Sequence, residues 1–454
     1  MRRIRLKWLG VFVFVGLLPF MGRCQEAKDT TLRLSLEEAQ AYALEHSTDI
    51  RNAHLDVLKA KKQVWEVTAS GLPQLSAKGS YQYIPDPSEI QIPTRIMQML
   101  DPSIPDNAPP QSISFVKEED MKVDFTVSQL IFSGSYIVGL QSSKVYKSLT
   151  QKQLELTRQE VKATIANSYY MVLVAKANRT TLSGLQENLK QTLYEMEQMH
   201  AEGFIEDTDV DQISLTLHDL TSAINTLENQ IDVGHKMLKY QLGLKLTDEV
   251  ILTDKLTSLL EDQQFADATE GGFTVGENIN YQLLETQEKL TALQLKNEKY
   301  SFLPTAAAFA NYTEILKEDE FADQMVPTTV IGISVELPIF TSGQRMAKLA
   351  QAKIELDKVQ NNLQDAEKGL TVQYLNARSE YITAVENYEN KERSRNLAQR
   401  IYDKTLEKYR EGVASSLDLT QTQNQYLQAE SNYYQAALSM MSAKIALEKI
   451  LTEA

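Results

Sequence analysis

Between Gln111 and Leu303 the chain has no proline, and between Ile339 and Ala454 again none, although twelve occur in its 454 residues. Proline inside a helix removes one hydrogen bond and collides with the preceding turn, costing ~3 kcal/mol or more. Two very long blocks are therefore free to be helical. Apart from Pro19, the prolines gather at Pro73, from Pro85 to Pro110, and at Pro304, Pro327 and Pro338. The chain thus alternates long helix-permitting blocks with short punctuated ones. Inside the helical blocks apolar residues recur at alternating steps of three and four: Leu349, Ala352, Leu356, Val359, Leu363, Ala366 and Leu370, and again Ile213, Leu217, Leu220, Ile224, Leu227 and Ile231. That spacing is a coiled-coil seam. From Ser135 to about His200 nothing breaks the pattern, and roughly 65 residues rising ~1.5 Å each make a helix of about 100 Å. Globular domains rarely hold such helices, so an elongated assembly is predicted.

The punctuated blocks carry a period of two. Ile331, Ile333, Val335 and Leu337 alternate with Gly332, Ser334 and Glu336; Val123, Phe125 and Val127 with Asp124, Thr126 and Ser128; Leu75, Ala77, Tyr81 and Tyr83 with Ser76, Lys78, Ser80 and Gln82. These are amphipathic strands. A fourth, Thr305 to Tyr312, is mostly alanine and is assigned by its place in an internal repeat. Ile50 to Tyr81 lies on Tyr281 to Tyr312 without a gap, matching Gln63 to Gln294 and Leu72-Pro73 to Leu303-Pro304. The next strand of each half ends in Ile131-Phe132-Ser133-Gly134 or Ile339-Phe340-Thr341-Ser342-Gly343, Glu202-Gly203 matches Glu411-Gly412, and Asp209 falls close to Asp418. Each half reads helix, strand, loop, strand, long helix, turn, helix. Residues 25–265 form the first repeat, with helices about 36–70, 135–200 and 208–243 and strands about 73–84 and 121–132. Residues 266–454 form the second, with helices about 277–302, 344–410 and 417–452 and strands about 304–313 and 329–340.

Strands of this length cross a bilayer with tilt, and their alternation suits lipid on one side and water on the other. Four cannot close by themselves, and hydrocarbon tolerates no unpaired strand edge. Two copies give eight strands and an interior filled by side chains; three give twelve and leave a water-filled lumen. A small soluble sheet packed on the helices is the other reading of the same strands.

Met1 to Cys24 reads as a secretory signal peptide, with Arg2, Arg3, Arg5 and Lys7 ahead of an apolar run from Trp8 to Met21. Cys24 is the single cysteine, so cleavage after it leaves no thiol; acylation of Cys24 competes, with Arg23 where a small residue is needed. Loss of the signal removes five cations and no anions, taking the net charge from -15 to about -20 and arguing against a nucleic-acid partner. His46, His54, His200, His218 and His235 form no metal-ligand spacing, and no phosphate-cradling loop or nucleophile elbow occurs. The expectation is no enzyme, no metal and no cofactor.

The tandem repeat, the Leu-Pro strand starts, the Ile-Phe-(Ser/Thr)-Gly strand ends, the turns at Gly203 and Gly412 and the aspartate after each resemble TolC-type outer-membrane efflux proteins over about Leu34 to Thr452. The resemblance implies a fold that is mainly α with a β-barrel. Long coiled-coil hairpins would form a periplasmic α-barrel, and four transmembrane strands per protomer would complete a 12-stranded barrel in a homotrimer. An equatorial collar would include the segment around Leu244 to Asn278 and both chain ends. It further implies a passive duct in the outer membrane of a Gram-negative cell, serving a tripartite efflux pump or type I secretion system. Partners would be outer-membrane lipid, a periplasmic adaptor (membrane fusion) protein and an inner-membrane pump of RND or ABC type.

Carried over residue by residue, Gly203, Phe204, Gly412 and Val413 are the adaptor-docking tips. Thr208 and Asp209 accept bonds from the neighbouring hairpin, Tyr409 reaches toward Asp209, and Asp418 joins a lumen-facing acidic ring. Ala414 stands where the family usually has an arginine, and Gln421 where it can carry a second carboxylate. Asp209 and Asp418 also suit helix caps, which requires no gate. A periplasmic coiled-coil adaptor, or a structural coiled-coil protein without a pore, remains the alternative function.

Overall fold

A computed structural model describes residues 31–114, 118–261, 272–316 and 328–451; the signal segment with Cys24 lies outside them. The elements run β1 (Thr31–Leu34), α1 (Leu36–His46), α2 (Thr48–Ala69), β2 (Gln74–Tyr83), β3 (Glu89–Ile92), α3 (Thr94–Leu100), β4 (Gln111–Ser114), β5 (Glu119–Phe132), α4 (Gly134–Ala201) and α5 (Asp207–Leu242). They continue through β6 (Glu249–Leu252), α6 (Leu256–Glu261), α7 (Ile279–Tyr300), β7 (Thr305–Ile315), β8 (Thr329–Glu336), α8 (Gln344–Arg410) and α9 (Ser416–Leu451). Corresponding helices of the two halves agree in length: 22 and 22 residues for α2 and α7, 68 and 67 for α4 and α8, 36 and 36 for α5 and α9. At ~1.5 Å per residue α4 and α8 are each about 100 Å long. Among the described residues no helix is long and apolar enough to cross a membrane.

The four long strands form one antiparallel sheet in the order β2-β5-β7-β8, leaving β2 and β8 as its edges. The register sorts the side chains by face. Leu75, Val127, Ala310 and Ile331 share one row, and Ala77, Phe125 and Tyr312 the next. On this apolar face Leu75, Phe125, Val127, Tyr312, Ile331, Ile333 and Val335 stand exposed. The other face is polar: Thr126 Oγ1 donates to Asn311 Oδ1 at 3.0 Å, and Thr313 Oγ1 to Asp124 Oδ1 at 2.6 Å. Phe309 of β7 lies against Gly332 of β8, where a Cβ would come within 2.8 Å of its ring.

Where one helix is expected over 36–70, there are two. Ser47 adopts extended backbone (φ -63°, ψ 145°), ends α1, and accepts from the Ile50 amide to start α2. The strand expected to reach 340 stops at Glu336, because Pro338 has no amide hydrogen to continue the ladder. The loop from 84 to 119 contains the β3–β4 pair and α3. The strands β1 and β6 pair in parallel, and Tyr169 of α4 is fully buried beneath them, its hydroxyl 2.9 Å from Asp254 Oδ2 and 3.2 Å from the Leu34 carbonyl. A second core, including Leu189, Met196, Ile213, Leu220, Tyr402 and Leu419, binds the α4–α5 hairpin to α8 and α9 away from the sheet.

Candidate functional site at the hairpin tips

Both long helices end, far from the sheet, in the same local structure. Gly203 follows α4 with φ +80° and Gly412 follows α8 with φ +76°. The amide of the next residue returns to the carbonyl five positions back, Phe204 to Met199 at 2.9 Å and Val413 to Lys408 at 2.8 Å. This is a Schellman closure, and it needs a left-handed residue at the glycine. Nothing lies within 4 Å of a Cβ added at either glycine, so backbone angle and not crowding demands it. The closures leave Phe204 and Val413 76% and 73% exposed at the apex.

Six residues beyond each glycine stands an aspartate that caps the following helix. Asp209 Oδ2 accepts from the Glu206 amide at 3.2 Å. Asp418 Oδ2 accepts from the Ser415 amide at 3.1 Å and its hydroxyl at 2.7 Å, while the Asp418 amide donates back to Ser415 Oγ at 3.1 Å. The Ser415 hydroxyl and amide hold the exposed Asp418 carboxyl below the usual carboxylate range. Capping and exposure thus coexist at Asp418.

The two turns also touch each other. Ser416 Oγ donates a hydrogen bond to Asp209 Oδ1, linking the start of α9 to the start of α5. Arg410 Nε lies 3.6 Å from Glu195 Oε2, linking the ends of α8 and α4. Tyr409 is placed near both acids: burial first, then the charges of Asp209 and Glu195, push its phenol up. Its hydroxyl makes no hydrogen bond, so the bond from the second hairpin to Asp209 comes from Ser416. Thr208 stays within its own turn, its hydroxyl 3.3 Å from Glu206 Oε2 and its amide 2.9 Å from Asp207 Oδ1. Reading the sequence missed Ser415, Ser416, Arg410 and Glu195. The spacing Ser415-x-x-Asp418 is a capping-box signal that reveals the first; the other three form contacts between helices far apart in sequence.

Among the described residues no group of three or more His, Cys, Asp or Glu is placed to hold a metal ion. The tips offer apolar apices, capped carboxylates and two cross-hairpin links.

Residues 298–453 match the family model of the outer membrane efflux protein. Among curated proteins none matches the chain. Solved structures share its fold across nearly its whole length: CusC, at TM-score 0.72 and 14% identity, with 92% of each chain covered; the outer membrane protein VceC of Vibrio cholerae, at 0.69 and 16%, with 92% of this chain and 96% of that one covered; and the CmeC outer membrane channel of Campylobacter jejuni, at 0.69 and 17%, with 92% and 85% covered.

Proposed function

With residues 298–453 matching the outer membrane efflux protein family model, we propose that the chain is one protomer of an outer-membrane efflux channel, a passive duct and not an enzyme. The observation that carries this reading is the sheet. Its apolar face is exposed, its polar face is internally hydrogen-bonded, and among the described residues both its edges are unpaired. In water such a sheet would expose an apolar surface and two sticky edges. In a bilayer the apolar face meets lipid, and the edges must be paired by other copies. Three copies joined β8 to β2 give twelve strands, with the polar face around a lumen.

The helices then extend the passage about 100 Å into the periplasm. Phe204 and Val413, flanking Gly203 and Gly412, present an apolar apex to an adaptor protein. Asp209, bonded by Ser416, forms the link that holds the tip shut, with Thr208 in the same turn and Tyr409 packed beside it, and Asp418 belongs to the acidic constriction. Energy for transport comes from an inner-membrane pump of RND or ABC type, for multidrug efflux or type I secretion, and the duct follows its adaptor between closed and open populations. A periplasmic adaptor or a pore-free coiled coil would leave the sheet's apolar face without a partner.

Imaging of the detergent-solubilised particle tests the proposal. A three-fold tube carrying a helical barrel about 100 Å long is expected. A monomer that remains in solution without detergent refutes it.

A further inference from the structure

The two long hairpins are built on different seams. In the core they share with Tyr402, Leu419 and Tyr426, α4 and α5 contribute Leu182, Leu185, Leu189, Met196, Ile213 and Leu220, and their buried Thr192 and Thr216 hydroxyls bond carbonyls of their own helices. In α8 a tyrosine recurs every seventh residue, at Tyr374, Tyr381, Tyr388, Tyr402 and Tyr409, and the one interruption in that series is Arg395. All six positions are buried or half-buried. Opposite them α9 buries Leu419, Gln423, Tyr426, Glu430, Tyr433 and Ala437, in alternating steps of four and three. The second hairpin therefore places an amide and a carboxyl in its seam; at the same distances beyond the tip glycine the first hairpin has Ser214 and Thr221.

Neither group is fully satisfied there. Gln423 is 1% exposed and Glu430 3%. Both amide atoms of Gln423, and Glu430 Oε2, lack a hydrogen-bond partner. Arg395 does not close an ion pair on Glu430: its guanidinium lies 4.1 Å from the centre of the Tyr433 ring, and Nε and Nη2 donate to Asn396 Oδ1 at 3.3 and 3.0 Å. The groups acting on Glu430 are the Tyr426 hydroxyl of its own helix and, through its charge, Arg395 of α8. Asp403 of α8 acts on Tyr426 and Tyr402 beside them. From α4, Thr181 bonds the Tyr434 hydroxyl at 2.7 Å, and Leu185 and Leu189 join the same core with Leu220 and Ile224 of α5.

A carboxyl in such a seam is tolerated as the acid and costly as the anion. We propose that Glu430 is a proton-operated joint in the α8–α9 hairpin. With the carboxyl protonated the layer from Gln423 to Tyr433 packs shut; with it ionised that layer opens locally while the α4–α5 hairpin stays closed. Burial holds Glu430 above its ordinary value of 4.5 against the opposing influence of Tyr426 and Arg395. A value raised by folding means that protonation stabilises the folded seam. The stabilisation is complete below the ordinary value and is lost as pH rises through the higher folded one. Acid tightens the hairpin.

Amide hydrogen exchange on the full-length solubilised protein tests this independently of any pore. The protection of α9 over 419–437 is divided by that of α5 over 213–227 in the same sample, which cancels the pH dependence of the exchange chemistry. The ratio is expected to rise on the order of tenfold as pH falls from about 7.5 to about 4.5. Glu430→Gln should hold it high at both ends. A flat wild-type ratio, or a rise that Glu430→Gln keeps, overturns the proposal. Tyr426→Phe removes the hydroxyl that favours the anion and must move the transition to higher pH; an unmoved transition also overturns it, and this holds even where Glu430→Gln fails to fold.

Discussion

In Ser416→Ala the Asp209 carboxylate loses the hydrogen bond that ties the first turn to the second. A bond to a charged acceptor contributes about 1.5 to 3 kcal/mol when buried. Asp209 is half-buried and keeps its bond from the Glu206 amide, so water recovers part of the loss and ~1 kcal/mol per protomer is the expected effect. That shifts a closed-to-open equilibrium about fivefold for one protomer, and about a hundredfold if three protomers open together. Resting conductance in planar bilayers reads the shift directly. Tyr409→Phe is the internal comparison: its hydroxyl is buried without a partner, so its removal should change the equilibrium by less than about 0.5 kcal/mol. Asp209→Ala removes both link and cap and should exceed Ser416→Ala, with Tyr409→Phe adding little to it. If Tyr409→Phe opens the channel and Ser416→Ala leaves it closed, the link has been assigned to the wrong residue.

Gly412→Ala forces a side chain into φ +76° and should lower stability by about 1 to 2 kcal/mol, seen as a lower thermal midpoint, with Gly412→Asn milder. Asp418→Asn should weaken cation preference, measured as a smaller reversal potential across a salt gradient. Because the Asp418 carboxyl is held below its ordinary 3.8, its charge persists above that value and is lost only as pH falls through the lowered one. Ser415→Ala removes the donor chiefly responsible, so selectivity should then be lost at a higher pH than in the wild type.

The long helices and three of the four strands were legible because each is written in its own period and proline marks the borders between them; the alanine-rich strand from Thr305 was legible only from its place in the repeat. The break at Ser47 was not, since neither proline nor glycine stands there; only the Ile50 amide, donating to the Ser47 hydroxyl, marks where one helix ends and another begins. At the tips, the glycines and the aspartates six residues after them could be read from the repeat. The Ser416–Asp209 bond could not: its partners are 207 residues apart and meet only because two hairpins end at the same height. The seam of α8 sits between these cases. A seven-residue tyrosine series is visible in the sequence, but that Arg395 turns onto Tyr433 and leaves Glu430 without an ion pair is decided by packing.

The matched helix lengths of the two halves make each hairpin a gauge for the other. A single residue inserted into α4 would push its tip ~1.5 Å further and turn it by about 100°. Asp209 would then swing away from Ser416, and Phe204 and Val413 would no longer share one rim. Length changes in one arm should therefore be tolerated only when the other arm changes with it, so the reach of the two hairpins is inherited as a matched pair.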